Sequence, residues 1–154
     1  MTFPEGLIKK PRTIDVYTNA MDAARTMESW NIGSLIVTEE QRPVGVVTDR
    51  DIALTVLGKE LDPEACGIRD CMNSDVVSLQ ETAGTSEAID LMCRNGIRRL
   101  PVVDDAGRLV GIVASDDLVL NLAHELTELA SVIRTEISQR SSKGSSIPSR
   151  LGRE

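Results

Sequence analysis

The sequence predicts a mixed α/β (α+β) fold made of two copies of one β-α-β-β-α unit, followed by an extended C-terminal helix. Residues 27–37 are matched by residues 92–102 at an offset of 65, and residues 45–52 by residues 111–118 at an offset of 66. The offset changes in the turn between the matched runs, where insertions are tolerated. Units of about sixty residues are marginal alone, so we expect the two copies to pack together.

The elements of each copy follow from its hydrophobic pattern. Each opens with a short β-rich run, at 13–16 and 76–79, and a helix with one apolar face follows. In the second copy Thr85 or Ser86 is the expected helix cap and Gly96 the expected stop. The apolar runs 35–37 and 100–103 predict buried strands, and 44–47 and 109–113 predict their hairpin partners. A second helix then begins near Asp49 in the first copy and Ser115 in the second.

The limits of the repeat, and the glycine and proline residues between its copies, indicate the domain boundaries. We place the first copy at 8–60, a linker with Gly and Pro at 61–75, and the second copy at 76–125. The last helix extends over 126–140, since apolar residues recur every three or four positions beyond the repeat. The Ser-rich segment 141–154 is expected to be a disordered tail.

Composition limits the classes of function. A net charge of −7 and an aromatic content of 2% oppose nucleic-acid binding and an anionic membrane surface. No run is long enough to span a membrane, and the N-terminus does not resemble a signal peptide. Three cysteines without CxxC spacing and one histidine make no zinc set, so we expect free thiols in the cytoplasm. No catalytic constellation is visible, and an enzyme is not expected.

The junction between a buried strand and a helix at 45–51 is the strongest candidate site. A helix N-terminus offers unpaired N–H groups to an anion. Thr48 and Asp51 supply a hydroxyl and a carboxylate suited to a ribose diol, and Arg50 supplies a donor for phosphate. The same Thr-x-x-Asp pattern is also that of plain helix capping, which remains the alternative at this point.

These motifs resemble a known family. The double repeat, the Gly-x-x-Thr-x-x-Asp pattern at 45–51 and the run Ile-Arg-Arg-Leu-Pro-Val-Val-Asp at 97–104 are similar to the cystathionine-β-synthase (CBS) domain. Two such domains in tandem resemble a stand-alone CBS pair, or Bateman module. The resemblance covers about residues 8–122. It implies two copies packed about a pseudo-twofold axis, with two clefts that bind adenosine compounds in many members.

The resemblance also implies roles for individual residues. Thr48 and Asp51 match the family positions that hold ribose and phosphate. In the second copy Asp117 matches, but Ala114 replaces the hydroxyl residue and Ser115 is its possible substitute. The pair Arg98–Arg99 matches basic residues that contact phosphates, although salt bridges to nearby aspartates are the alternative. The adenine would lie against aliphatic side chains and backbone at Ile32, Gly33 and Ile97.

The resulting hypothesis is a regulatory module that binds an adenine nucleotide, with no cofactor required. AMP is the leading ligand because the arginine cluster suits a monophosphate, and ADP, ATP and S-adenosylmethionine are alternatives. A homodimer and an unidentified effector protein are the expected partners. The alternative from another class is a structural dimerisation module with empty or vestigial clefts, which the substitution at Ala114 and the apolar C-terminal helix favour.

Overall fold

The structure is a computed structural model that describes residues 3–4 and 6–143. The chain divides into two compact units. The first unit, Met1–Asp117, contains both three-stranded sheets, and the second begins at Leu118. Residues 144–154 of the predicted tail lie outside the described residues.

The first copy has the predicted order of elements. Strand β1 (Thr13–Asp15) is followed by helix α1 (Ala20–Trp30), strands β2 (Ser34–Glu39) and β3 (Arg42–Thr48), and helix α2 (Asp49–Ile52), which continues as a π-helical turn (Ala53–Leu57). The three strands form a sheet in the order β1-β2-β3, with β1 parallel and β3 antiparallel to the central β2.

The second copy repeats this arrangement. After the linker helix α3 (Ile68–Cys71) come β4 (Leu79–Gln80), α4 (Thr85–Asn95), β5 (Arg99–Val103) and β6 (Leu109–Ala114). The sheet order β4-β5-β6 has the same parallel and antiparallel pairings. Even the register shifts are equivalent, at Val37/Thr38 and at Val102/Val103. The duplication deduced from the sequence is therefore confirmed in the fold.

The first helix of each copy is explained by its sequence. Helix α1 buries Ala20, Ala23 and Met27 on one face. Its N-terminus is capped by Asn19, whose Oδ1 accepts a hydrogen bond from the Asp22 N–H at 2.8 Å. Helix α4 ends at Gly96, whose φ of 62° favours glycine, as predicted. The cap of α4 is Gly84, so the prediction of Thr85 or Ser86 was wrong.

In each copy, the segment before the first strand pairs with the last strand of the other copy's sheet. Lys9 pairs antiparallel with Ile112 in β6, and Asn73 of the linker pairs antiparallel with Val46 in β3. Both crossings pass over a glycine. A Cβ on Gly111 would overlap Ile8 Cγ2, and a Cβ on Gly45 would overlap Met72 Sδ. The two copies are thus joined by reciprocal backbone pairing.

The cysteines are free thiols. Cys66 and Cys71 are buried with their Sγ atoms 3.6 Å apart, whereas Cys93 is exposed on α4. The pKa of Cys71 is raised to about 11, mainly by burial and in part by the hydrogen bond with Cys66. The Cys71 thiol therefore remains protonated at neutral pH, and burial shields both Cys66 and Cys71 from reagents in solvent.

Helix α5 (Ser115–Lys143) contains the predicted C-terminal extension. Apolar side chains on the extension are exposed: Leu126 at 67%, Leu129 at 60% and Ile133 at 53%. Within the described part of the chain, no helix has both the length and the apolar character needed to cross a membrane. The helix thus presents an apolar stripe to solvent.

Candidate functional site

A cavity of about 730 Å³ lies in the first unit, between the two copies. Its walls come from four parts of the chain. These are the turn before β2 with the end of β3, the equivalent turn before β5 with the end of β6, the linker around Asn73–Val77, and the basic N-terminal segment around Lys9. The volume falls in the range typical of small-molecule sites.

The strand–helix junction of the first copy opens on this cavity through Thr48 and Asp51. Asp51 Oδ2 accepts hydrogen bonds from the Thr48 N–H at 2.9 Å and from the Thr48 hydroxyl at 2.7 Å. In return the Asp51 N–H donates to Thr48 Oγ1 at 3.1 Å. The capping box is therefore formed, and it fixes both side chains at the cavity wall. Capping and ligand binding are compatible, because Asp51 Oδ1 keeps its acceptor sites.

The junction of the second copy differs. Ala114 lines the cavity where the first copy has Thr48, and Asp117 lines it where the first copy has Asp51. The Lys9 ammonium lies 2.6 Å from Asp117 Oδ1. Ser115 turns its hydroxyl to Asp116 Oδ1 at 3.2 Å and is not among the lining residues. The second junction therefore offers a carboxylate that is already paired with a cation.

Five cationic residues line the cavity: Lys9, Lys10, Arg12, Arg98 and Arg99. Arg98 is paired with Asp116 at 2.8 Å, which lowers the pKa of that carboxyl through a hydrogen bond and charge. The Arg12 guanidinium lies 3.4 Å from the centre of the Trp30 ring. Lys10 and Arg99 make no ion pair with any described residue, and both line the cavity. These two cations are available to an anion.

The apolar part of the cavity includes Ile32, Gly33 and Ile97. The Asp49 N–H donates to the Gly33 carbonyl at 3.0 Å, and the Ser115 N–H donates to the Arg98 carbonyl at 2.9 Å. These equivalent bonds tie each turn to the strand–helix junction of its own copy. They bring aliphatic, cationic and carboxylate groups together around one space.

Eight of the ten residues named from the sequence line the cavity, and Arg50 and Ser115 do not. The sequence analysis missed Lys9, Lys10 and Arg12. A signal was present, since these residues form a run of three cations within four positions in a chain of net charge −7. Among the described residues, no group of three or more His, Cys, Asp or Glu side chains is placed to hold a metal ion.

Comparison with known proteins gives the family. The CBS domain family matches residues 7–58 and 68–124. The chain is 40% identical over 101 residues to an uncharacterized protein of Methanopyrus kandleri, covering 65% of this chain and 52% of that protein. It thus spans about half the length of this relative.

Two solved structures are similar in fold. The CBS domain pair of protein MJ0100, in complex with 5′-methylthioadenosine and S-adenosyl-L-methionine, has a TM-score of 0.64 at 28% identity, covering 77% of this chain and 94% of that one. The CBS domain protein PAE2072 of Pyrobaculum aerophilum, complexed with AMP, has a TM-score of 0.63 at 27% identity, covering 77% and 95%. With both repeats matched and the fold shared, this chain belongs to the CBS domain family and carries two CBS domains in tandem.

Proposed function

We propose that this protein is a regulatory module that binds an adenine nucleotide, AMP most strongly, in the cavity between its two CBS domains. One observation carries the proposal. The Thr48–Asp51 capping box and the unpaired Arg99 come from different copies and line the same cavity. The AMP and S-adenosylmethionine complexes of the two similar structures support it.

In this proposal each part of the nucleotide has a chemical counterpart. Asp51 Oδ1 accepts hydrogen bonds from the ribose hydroxyls, and the capping box holds the carboxylate for this task. Arg99 and Lys10 bind the phosphate, and Arg98 joins them if it leaves Asp116. The base lies against Ile32 and Ile97. Arg50 has no part in the proposed site because it lies outside the cavity lining.

Regulation follows from the position of the cavity. A ligand that contacts both copies stabilises the arrangement in which they are docked, by its differential affinity for that state. No enzymatic activity is proposed. The output passes to an effector protein or to a change in assembly, and the exposed stripe on α5 is proposed to join two chains in a homodimer.

A structural dimerisation module with an unused cavity is the second candidate. It is favoured by the second copy, where the Ala114 side chain has no hydroxyl to donate a hydrogen bond and Asp117 is paired with Lys9. The two candidates differ in what they predict for ligand binding, so one measurement separates them.

The measurement is thermal unfolding of the full chain with AMP, ADP, ATP, S-adenosylmethionine or adenosine. Because the unfolded chain lacks the site, a ligand at a hundredfold excess over its Kd raises the free energy of unfolding by about 2.7 kcal/mol. For a unit the size of Met1–Asp117 this raises Tm by roughly 10 °C. AMP should shift Tm far more than adenosine, and added salt should reduce the AMP shift. Equal shifts from AMP and adenosine would remove the role of Arg99. No shift from any adenine compound at millimolar concentration would leave the scaffold candidate.

A further inference from the structure

We infer that Lys9 closes the second copy's half of the cavity, so that each chain binds one nucleotide although it carries two CBS domains. This inference rests on the proposed function, because it concerns the number of ligands that the cavity holds. It is carried by a comparison of equivalent positions in the two copies.

Lys9 and Asn73 occupy equivalent backbone positions. The Lys9 N–H donates to the Ile112 carbonyl at 3.0 Å, and the Ile112 N–H donates back to the Lys9 carbonyl at 2.9 Å. Asn73 and Val46 exchange the same two bonds, both at 2.9 Å. Each residue thus lies beside the last strand of the opposite copy, and both line the cavity.

Their side chains do different things. The Asn73 Oδ1 accepts a hydrogen bond from the Asp75 N–H at 3.0 Å and leaves Asp51 to Thr48 alone. The Lys9 ammonium instead lies on Asp117 Oδ1 at 2.6 Å. A ribose diol therefore meets a carboxylate at Asp51 whose charge no cation among the described residues neutralises, but at Asp117 it meets a carboxylate whose charge is already shared with the Lys9 ammonium.

The second difference is the residue three positions before each carboxylate. Thr48 holds Asp51 from two sides through its N–H and hydroxyl. Ala114 has no hydroxyl, so no equivalent bond orients Asp117. With both differences in place, the carboxylate of the second copy is paired with a cation and lacks the hydroxyl bond that holds Asp51.

Neither difference is large alone. The Lys9 and Asp117 side chains are 59% and 23% exposed, and an ion pair so accessible to water is weak. The lost hydroxyl removes one hydrogen bond of ordinary strength. Each change should therefore weaken the second site by only a few fold, and both together should weaken it on the order of tens-fold. The ligands are therefore counted at an AMP concentration a few times the Kd of the first site, where the second site stays largely empty.

The test makes the second copy resemble the first. The double variant Lys9→Asn/Ala114→Thr places an asparagine and a threonine at the positions of Asn73 and Thr48. Equilibrium dialysis with radiolabelled AMP, with chain concentration from absorbance, counts ligands per chain. We expect one AMP for the natural sequence and two for the double variant. The matched control Lys9→Arg/Ala114→Thr keeps a cation against Asp117 and should bind its second AMP a few fold more weakly than the double variant does. Adding Asp51→Asn to the double variant should remove the first site and leave one AMP.

The outcomes separate the two proposals. Two AMP per natural chain would overturn the role of Lys9 and leave the proposed function standing. One AMP in the double variant, or a second AMP bound equally tightly by the double variant and the arginine control, would also overturn it. If neither the natural chain nor the double variant binds AMP, both the nucleotide proposal and the present inference are wrong. A cooperative urea transition shows that each variant is folded before its ligands are counted.

Discussion

Because Ile8 crosses over Gly111, the small substitution Gly111→Ala is predicted to lower the stability of the fold markedly. A Cβ at Gly111 would overlap Ile8 Cγ2 and lie 3.3 Å from the Lys9 carbonyl oxygen. Ile8 is branched at Cβ and has few allowed side-chain rotamers, and Lys9 is held to β6 by two hydrogen bonds. Gly111→Ala must therefore push the N-terminal segment away from the sheet.

The equivalent substitution in the first copy is the internal comparison. At Gly45 the overlapping atom is Met72 Sδ, which belongs to an unbranched and adaptable side chain. Overpacking costs about 1–3 kcal/mol, and Gly→Ala returns about 0.4–1 kcal/mol by restricting the unfolded chain. We expect Gly111→Ala to lower the free energy of unfolding by about 2 kcal/mol and Gly45→Ala by about 1 kcal/mol or less.

Urea unfolding followed by circular dichroism measures both values from transition midpoints at a common m-value. The N-terminal segment also positions Lys9, so Gly111→Ala should loosen the Lys9–Asp117 pair while Gly45→Ala leaves it intact. An equal cost at the two glycines, or a more stable Gly111→Ala variant, would show that the overlap with Ile8 is relieved without strain and would refute the reasoning.

Three further predictions concern the site, the thiols and the helix. Asp51→Ala and Arg99→Ala should each weaken AMP binding tens-fold, about 2 kcal/mol, and Asp117→Ala should weaken it little; calorimetric titration checks the order, and the reverse order would assign the wrong copy. Iodoacetamide at pH 8 should modify Cys93 alone in the folded chain and all three thiols in urea, as counted by mass spectrometry. Rapid labelling of Cys66 or Cys71 in the folded chain would show that burial does not protect these two thiols. Light scattering at micromolar concentration should give a dimer that Leu129→Asp dissociates, and a monomer in the natural sequence would disprove the helix interface.

The elements that could be predicted are those with a local signal. Helix α1 and helix α4 each have an apolar face in the sequence, α4 also has its predicted stop at Gly96, and the structure has both helices. The cap of α4 could not be placed by the same preferences. Gly84 is the N-cap of α4, at the position that Asn19 has in α1, and it makes no side-chain hydrogen bond. Thr85 and Ser86 have the residue type of a cap but lie inside the helix.

The candidate site was predictable where a motif lies on a single turn of chain. Arg50 was included because it precedes Asp51, but adjacent helical residues face different directions, and only Asp51 lines the cavity. Lys9 and Lys10 reach the cavity through backbone pairing with a distant strand. Such long-range pairing leaves no periodic pattern in the sequence, so the run of positive charge was the one signal that these residues line the cavity.

The reciprocal exchange of segments between the copies has a consequence for how the chain folds. Lys9 and Asp117 are 108 residues apart in sequence, and the first copy completes its own sheet only with Asn73. During synthesis, therefore, the N-terminal segment emerges long before its partner strand and must wait unpaired until nearly all of the first unit has been made. Contacts of such high sequence separation slow folding. A chain truncated after the first copy would leave the edge of β3 without Asn73 and would tend to recruit a second molecule in its place.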